Sequence, residues 1–308
     1  MLLGVDIGGT KCAVTVGTKE GEIIAKERFA TTTAEETLLW IRDTAAKFRD
    51  TYPLEACGIS CGGPLDEREG IILSPPNLPD WKDIPIAGML AFLLDYIPVG
   101  LRNDANACAM AEWRFGAGKG TENMIFLTFG TGLGAGIIAN GKLLSGANGN
   151  AGEAGHLRLR KDGPMGYGKK GSFEGFCSGG GLAQLGKMAA EEAKKQGAPV
   201  YWDAEKIDVA EMAAAARMGE PYAEAVFAIC GEKLGEGLAV LVDLLNPERI
   251  VIGSIFARCE DLLRPAMERA LEREALPEAL KVCKVVPAAL GEEIGDRAAL
   301  AVAMEVLR

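Results

Sequence analysis

Near its amino terminus the chain reads Asp6-Ile7-Gly8-Gly9-Thr10-Lys11, residue types that suit a polyphosphate. Glycine lets backbone N–H groups approach a phosphate, Thr10 and Lys11 add donors, and Asp6 can hold a hydrated Mg²⁺. Gly–Gly is also a common two-residue hairpin loop, and taken alone the segment reads rather as that. A second turn, Thr128-Phe129-Gly130-Thr131-Gly132-Leu133-Gly134-Ala135-Gly136, contains G-x-G-x-x-A. A dinucleotide site would need a helix directly after those glycines. Here Ile137-Ile138-Ala139 runs on as a strand into another turn at Asn140–Gly141. Two phosphate-type hairpin turns at corresponding places better fit a nucleotide clamped between two lobes.

Three further groups could do chemistry. Asn103–Asp104 ends a strand and opens a helix, so it serves as an N-cap. It also sets a carboxylate at a strand's C-terminal end, where it could accept a proton from a substrate hydroxyl attacking a phosphoryl group. Gly152-Glu153-Ala154-Gly155-His156 carries the single histidine of the chain, and Glu174 follows a second glycine-rich stretch. A lone histidine is commonly structural. A Glu/His/Glu set is nonetheless what a hydroxyl-rich ligand calls for, since acceptors must replace its water.

The elements that must position these residues alternate. Strands are expected at Leu2 to Asp6, Cys12 to Gly17 and Glu22 to Ala30, then a helix after the capping-box pattern Thr33-x-x-Glu36. A strand at Ala56 to Ser60 precedes the Gly62–Gly63–Pro64 break. A helix at Ile86 to Tyr96 leads to a strand ending at Arg102 and to the helix Ala105 to Phe115. Strands at Met124 to Phe129, Ala135 to Ala139 and Lys142 to Leu144 repeat the opening, which suggests an internal duplication. A long helix at Tyr222 to Leu245, a strand at Arg249 to Gly253, a helix at Cys259 to Glu274, a strand at Lys281 to Val286 and a last helix from Asp296 complete an α/β pattern.

Composition narrows the classes. The 308 residues carry 33 Lys+Arg against 43 Asp+Glu, a net charge of −10, with no basic run to meet nucleic acid. No apolar stretch approaches the ~18 residues of a membrane helix, and Asp6 interrupts the first apolar run, against a signal peptide. Eight scattered Cys without a CxxC pair read as buried thiols in a reducing compartment. A cytoplasmic protein that binds neither membrane nor nucleic acid is expected.

Together these residues resemble the ROK family of sugar kinases and repressors. The matching pieces are DIGGTK at Asp6–Lys11, Gly63-Pro64-Leu65-Asp66 with Pro76-Asn77-Leu78, and NDANACAMAE at Asn103–Glu112. FGTGLGAGI at Phe129–Ile137, GEAGH at Gly152–His156 and Ile250-Val251-Ile252-Gly253 continue the series in family order. The resemblance implies a two-lobed, actin-like (ribonuclease H-like) α/β fold with ATP and sugar in the interlobe cleft. Its small lobe would comprise residues 1–104, completed by a C-terminal helix over 293–308, and its large lobe residues 105–292. It also implies ATP-dependent phosphorylation of a hexose, glucokinase-like and at O6, with Mg²⁺. Asp104 would be the general base, and Gly63, Asn77, Asn103, Glu153, His156 and Glu174 would hold the sugar. Asp6, Gly8, Gly9, Thr10, Lys11, Thr131 and Gly132 would serve the phosphates, and Gly253 would lie near the adenosine. A homo-dimer or homo-tetramer is expected.

The chain departs from the family at the loop after His156. Where members carry three zinc-binding Cys, Met165, Tyr167 and Ser172 stand instead, so no zinc is expected. Ser254 replaces a common Gly. A repressor would carry a helix-turn-helix ahead of the first phosphate turn, and Asp6 leaves it no room here. A sugar sensor without turnover and a kinase of N-acetylmannosamine or N-acetylglucosamine are the alternatives. Retention of Asp104 and Lys11 favours turnover.

Overall fold

A computed structural model describes residues 1–307. In chain order it contains β1 (Leu2–Ile7), β2 (Lys11–Gly17), β3 (Ile23–Ala30), α1 (Ala34–Thr51), β4 (Ala56–Cys61), β5 (Leu65–Asp66), β6 (Ile71–Ile72), α2 (Ile86–Leu93), β7 (Val99–Asn103) and α3 (Asp104–Phe115). Next come β8 (Met124–Leu127), β9 (Ala135–Ala139), β10 (Lys142–Leu143), β11 (Met165–Gly166), β12 (Lys169–Lys170), α4 (Phe173–Phe176), α5 (Gly179–Lys195), α6 (Val209–Arg217) and α7 (Pro221–Leu245). The chain closes with β13 (Arg249–Ile252), α8 (Ile255–Arg258), α9 (Glu260–Glu274), α10 (Pro277–Leu280), β14 (Lys284–Pro287) and α11 (Ile294–Val306). None of the described helices is long and apolar enough to cross a membrane.

The chain forms two compact units, one of residues 1–122, 136–152 and 289–308, the other of residues 123–135 and 153–288. The first is built on a sheet in the order β3-β2-β1-β4-β7. β1 pairs antiparallel with β2 and parallel with β4, which pairs parallel with β7. Every residue of β4 is buried, as expected of a parallel strand covered on both faces. One face meets α1 and α2 through Ile41, Phe48, Ile59, Ile86 and Leu101. α1 opens as its sequence predicts: Thr33 Oγ1 accepts the Glu36 N–H at 3.3 Å. The other face meets α11, whose residues Ala298 to Ala303 are all buried.

In the second unit β8, β13 and β14 run side by side and parallel, repeating the relation of β1, β4 and β7. The duplication read from the glycine turns is thus present in strand topology. Helix α7 packs against α9, α5 and α6.

Some boundaries differ from the sequence reading. α2 ends at Leu93 rather than Tyr96, because Asp95 and Tyr96 take φ of 56° and 60°. Residues 281 to 283 are not a strand, since Pro277 starts the short helix α10 and β14 begins only at Lys284. The first unit does not stop at residue 104. α3 joins it because Glu112 on that helix accepts N–H bonds from Ala289 at 3.0 Å and Leu290 at 2.9 Å, tying α3 to the segment that leads into α11. Gly136 lies so close to α3 that an added Cβ would stand 2.5 Å from the Ala109 Cβ.

Two glycines give predictions of opposite sign. A Cβ at Gly58 on β4 would overlap the Ala299 carbonyl oxygen and the Ala303 nitrogen of α11. Gly58→Ala is expected to cost about 2 kcal/mol through overpacking against backbone that cannot retreat. Gly88 lies within α2, exposed, with nothing within 4 Å of its Cβ position. Gly88→Ala is expected to add about 0.5–1 kcal/mol by restricting the unfolded chain. Thermal denaturation of both variants beside the parent checks the signs.

Candidate functional site

The predicted residues fall into two groups, one on each unit. On the first, β1, β4 and β7 bring their C-terminal ends together in register, pairing Ile7 with Cys61 and Cys61 with Asn103. Asp6 stands near the end of β1, the Gly8–Gly9 turn follows it, Gly62 and Gly63 follow β4, and Asn103–Asp104 ends β7. The Asn77 segment closes over the turn: a Cβ on Gly9 would stand 2.8 Å from the Asn77 carbonyl oxygen. From Gly62, the Cβ position is 3.6 Å from the Asn77 amide and 3.8 Å from Asp104 Oδ2, and from Gly63 it is 3.5 Å from Asn103 Nδ2. Gly62, Gly63, Asn77, Asn103 and Asp104 therefore share one small region, whose glycines leave room beside the carboxylate.

Asn103 is the N-cap of α3, its side chain accepting the Ala105 N–H at 3.0 Å, while Asp104 Oδ1 accepts the same N–H at 2.8 Å. The capping role is thus observed. Asp104 keeps a solvent-open face that a substrate can reach. The protein on its other sides displaces water and pushes its pKa up, opposed by the Ala105 N–H. Sequence reasoning missed Glu67. Its Oε1 accepts the Asn103 N–H at 2.9 Å, and Arg102 links its other oxygen, at 3.3 Å, to Glu305 of α11 at 2.9 Å. This chain of charges fixes the strand end that carries Asn103 and Asp104. No motif marked it, because its members are far apart in sequence.

Asp6 has a strongly raised pKa: burial, then the charges of Asp296 and Asp104, together push it up to about 6 against a Ser60 hydrogen bond and Lys26. Lys26 pairs with Asp296, which also accepts from Thr15 Oγ1 at 3.1 Å. Lys26, already paired with Asp296, is a cation that acts on Asp6. Among the described residues no three acidic, Cys or His side chains cluster as a metal site, so Asp6 could hold a divalent cation only where phosphate and water supply its other ligands. Gly8 donates its N–H to the Lys11 carbonyl at 3.1 Å, closing the turn and leaving Gly9, Thr10 and Lys11 exposed.

On the second unit the glycine turn is tied to its neighbours by backbone. Gly130 N–H reaches the Gly132 carbonyl at 3.0 Å, and Gly179 and Gly180 at the start of α5 donate to the Gly130 and Thr131 carbonyls at 2.8 and 3.3 Å. Beside this turn lies a cavity of about 690 Å³, walled by Gly130, Thr131, Gly179, Lys206, Ser254 and Arg258 among others. A volume of that order suits a nucleotide-sized ligand. Gly253 itself is buried against Phe126, and the wall residue is Ser254. Ser254 takes a φ of 53°, a conformation that favours glycine, and its Oγ accepts from Arg258 at 3.3 Å. Lys206 and Arg258, two cations on this wall, carried no sequence signal because they lie in segments without a motif.

Glu153, His156 and Glu174 belong to this unit too. Glu153 and His156 are exposed, the His156 N–H donating to the Glu153 carbonyl at 3.1 Å within one 3₁₀ turn. Glu174 Oε2 accepts the Leu133 N–H at 3.0 Å and would stand 2.7 Å from a Cβ on Gly132, so this carboxylate is joined to the second glycine turn. Of the residues in place of zinc ligands, Ser172 is buried as the N-cap of α4, accepting the Gly175 N–H at 3.0 Å, while Met165 and Tyr167 are exposed.

The chain is similar to known glucokinases in sequence and in fold. The chain is 30% identical to a glucokinase of Thermotoga maritima over 99% of this chain and 97% of that one. It is 32% identical to a glucokinase of Streptomyces coelicolor, covering 96% and 95% of the two chains. The structure superposes on a ROK family glucokinase from Streptomyces griseus, in complex with glucose and AMPPNP, with a TM-score of 0.78 at 33% identity, covering 99% of both chains. The α/β architecture expected from the sequence is that of these actin-like kinases. With residues 2–306 matching the ROK family, the chain belongs to the ROK family.

Proposed function

We propose that this protein transfers the γ-phosphoryl group of ATP to a hexose or hexose derivative at O6, with Asp104 as general base. The observation that carries the reading is Asp104 itself. It is a solvent-reachable carboxyl of raised pKa, capped at the C-terminal end of β7 and surrounded by Gly62, Gly63, Asn77 and Asn103. The sugar hydroxyl gives its proton to Asp104 as its oxygen bonds to the γ-phosphorus, and the bond to the β-phosphate oxygen breaks to release ADP. Asn103, Glu153, His156 and Glu174 hold ring hydroxyls, with Gly63 and Asn77 beside them. Gly8, Gly9, Thr10, Lys11, Thr131 and Gly132 serve the phosphates. The adenosine occupies the cavity beside Ser254 and Gly253. Asp6 would hold Mg²⁺, which would supply charge neutralisation when bound. Self-association into a dimer or tetramer is part of the proposal: Ile229, Val240 and Leu244 on α7 present exposed apolar surface for it.

Three tests follow. ADP release from ATP–Mg²⁺ is measured against glucose, allose, fructose, N-acetylglucosamine and N-acetylmannosamine, with metal content on the same preparation. Turnover with at least one sugar, and no stoichiometric zinc, is expected; silence with every sugar would sink the kinase reading. Asp104→Asn is expected to lower kcat by about 10²–10⁴-fold, with ATP affinity by calorimetry unchanged; full activity in this variant removes Asp104 from the role.

The third test is pH dependence. A carboxyl whose folded pKa is about 6 against 3.8 unfolded binds more protons in the folded state, so its presence costs stability as pH rises from 3.8 through 6. Asp6→Asn is therefore expected to raise stability at pH 8, by on the order of 2 kcal/mol, and to give no such gain at pH 3.5. The same variant is expected to lose phosphoryl transfer. Chemical denaturation of both proteins at the two pH values reads the difference, and an equal effect at both would refute this account of Asp6.

A further inference from the structure

β11 and β12 form a two-stranded hairpin, pairing Met165 with Lys170 and Gly166 with Lys169. Its loop is Tyr167–Gly168, and both residues take positive φ, 45° and 75°. Positive φ at both central positions is the requirement of a type I′ turn, whose favoured pair is Asn–Gly. Glycine stands where it should. Tyrosine does not, because a bulky side chain in the left-handed region is a steric outlier.

Burial does not offset that strain, for Tyr167 is 73% exposed. Among the described residues its ring has one aromatic neighbour, the imidazole of His156, at 5.3 Å between centroids and 80° between planes. The hairpin beneath is firmly held. Gln184 binds the Met165 backbone twice, accepting its N–H at 2.8 Å and donating to its carbonyl at 2.8 Å. Lys169 Nζ donates to the His156 carbonyl at 2.5 Å. Beyond the loop there is open space, with nothing within 4 Å of a Cβ on Gly168. A strained, solvent-facing aromatic on a rigid support, touching a candidate ligand-binding side chain, is how strain at a functional site presents itself.

We propose that Tyr167 is a further sugar-contacting residue, its ring lying against the C–H face of the hexose whose hydroxyl His156 takes. The inference rests on the kinase reading above. A pyranose has an apolar face of C–H groups and a polar rim. An aromatic body edge-on to an imidazole offers a surface for the first and a hydrogen-bond partner for the second. The contact would favour acceptors that present an unbroken C–H face, and so contribute to the choice of sugar.

Tyr167→Asn separates a functional role from a structural one, since it installs the residue that the turn prefers. The variant is expected to melt at or above the parent's temperature. Its KM for the sugar should rise by about three- to tenfold, with the KM for ATP unchanged and Tyr167→Phe restoring the sugar KM. An unchanged sugar KM overturns the proposal. So does a lowered melting temperature with both KM values worsened alike, which would make Tyr167 a packing residue. His156 is the only histidine, so a single imidazole proton signal reports on it in the full-length protein. Sugar is expected to move that signal in the parent and to move it less in Tyr167→Asn. If the parent turns over no sugar, the kinase reading fails separately, and this signal still decides: reduced movement in the variant supports the contact, while equal movement or none in the parent overturns it.

Discussion

The close seat of α11 on the first sheet is the constraint on which much else depends. Gly4, Gly58 and Gly100 form a row across β1, β4 and β7 where no side chain would fit under that helix. The Cβ positions on Gly4 and Gly100 would stand 3.0 Å from Ala299 and 2.8 Å from Val306, and that on Gly58 would overlap the helix backbone. The helix answers with an alanine-rich face, Ala298, Ala299, Ala301 and Ala303. Small residues on both sides bring backbone near backbone, so the helix can touch what the strands carry. Asp296 pairs with Lys26, Gly295 abuts Asp6, and Glu305 reaches Arg102 beside Asn103. Helix α11 thereby positions the end of β1 before the first glycine turn and the strand end that bears the proposed base.

Charge is arranged with the same economy. Asp104 and Asp296 both raise the pKa of Asp6, and Lys26, which offsets part of that, is already paired with Asp296. In a folded protein without ligand this is unfavourable, and with burial, the larger cause, it raises the pKa of Asp6. The arrangement is useful to a reaction that gathers negative charge only when a cation arrives with the nucleotide. Giving up stability at a site that handles charge is a common exchange.

On the second unit Glu174 couples two tasks. Its carboxylate accepts from the Leu133 N–H in the glycine turn, and its neighbour Gly155 packs against the Leu133 carbonyl and the Glu174 Cβ. The turn that would meet phosphate and the short helical turn that carries His156 therefore share one anchor. The hairpin that follows His156 is braced by ordinary hydrogen bonds and an ion pair, through Gln184, Lys169, Ser172 and the pairing of Arg160 with Glu236. Replacing Cys by Met165, Tyr167 and Ser172 thus leaves a loop with bonds enough to hold its shape.

The sequence alone determined what local chemistry can express. The glycine turns, the Asn103–Asp104 cap, the alternation of strands and helices and their duplication were all legible. Each depends on neighbours within a few residues, and the glycine-rich segments leave few conformations open. Family membership followed from the order of those motifs. What it could not express were contacts between distant residues: Glu67 holding Asn103, Lys26 meeting Asp296, Glu112 binding residues 289 and 290, and Lys206 with Arg258 lining one cavity. Lys206 and Arg258 stand in segments with no special pattern, and even Glu112, which ends the NDANACAMAE motif, takes its meaning only from the backbone that brings the partners together. For the same reason α3 and residues 136–152 belong to the first unit rather than the second. Sequence order cannot reveal that, because what decides it is packing between separate segments: α3 on α11, and Gly136 on α3.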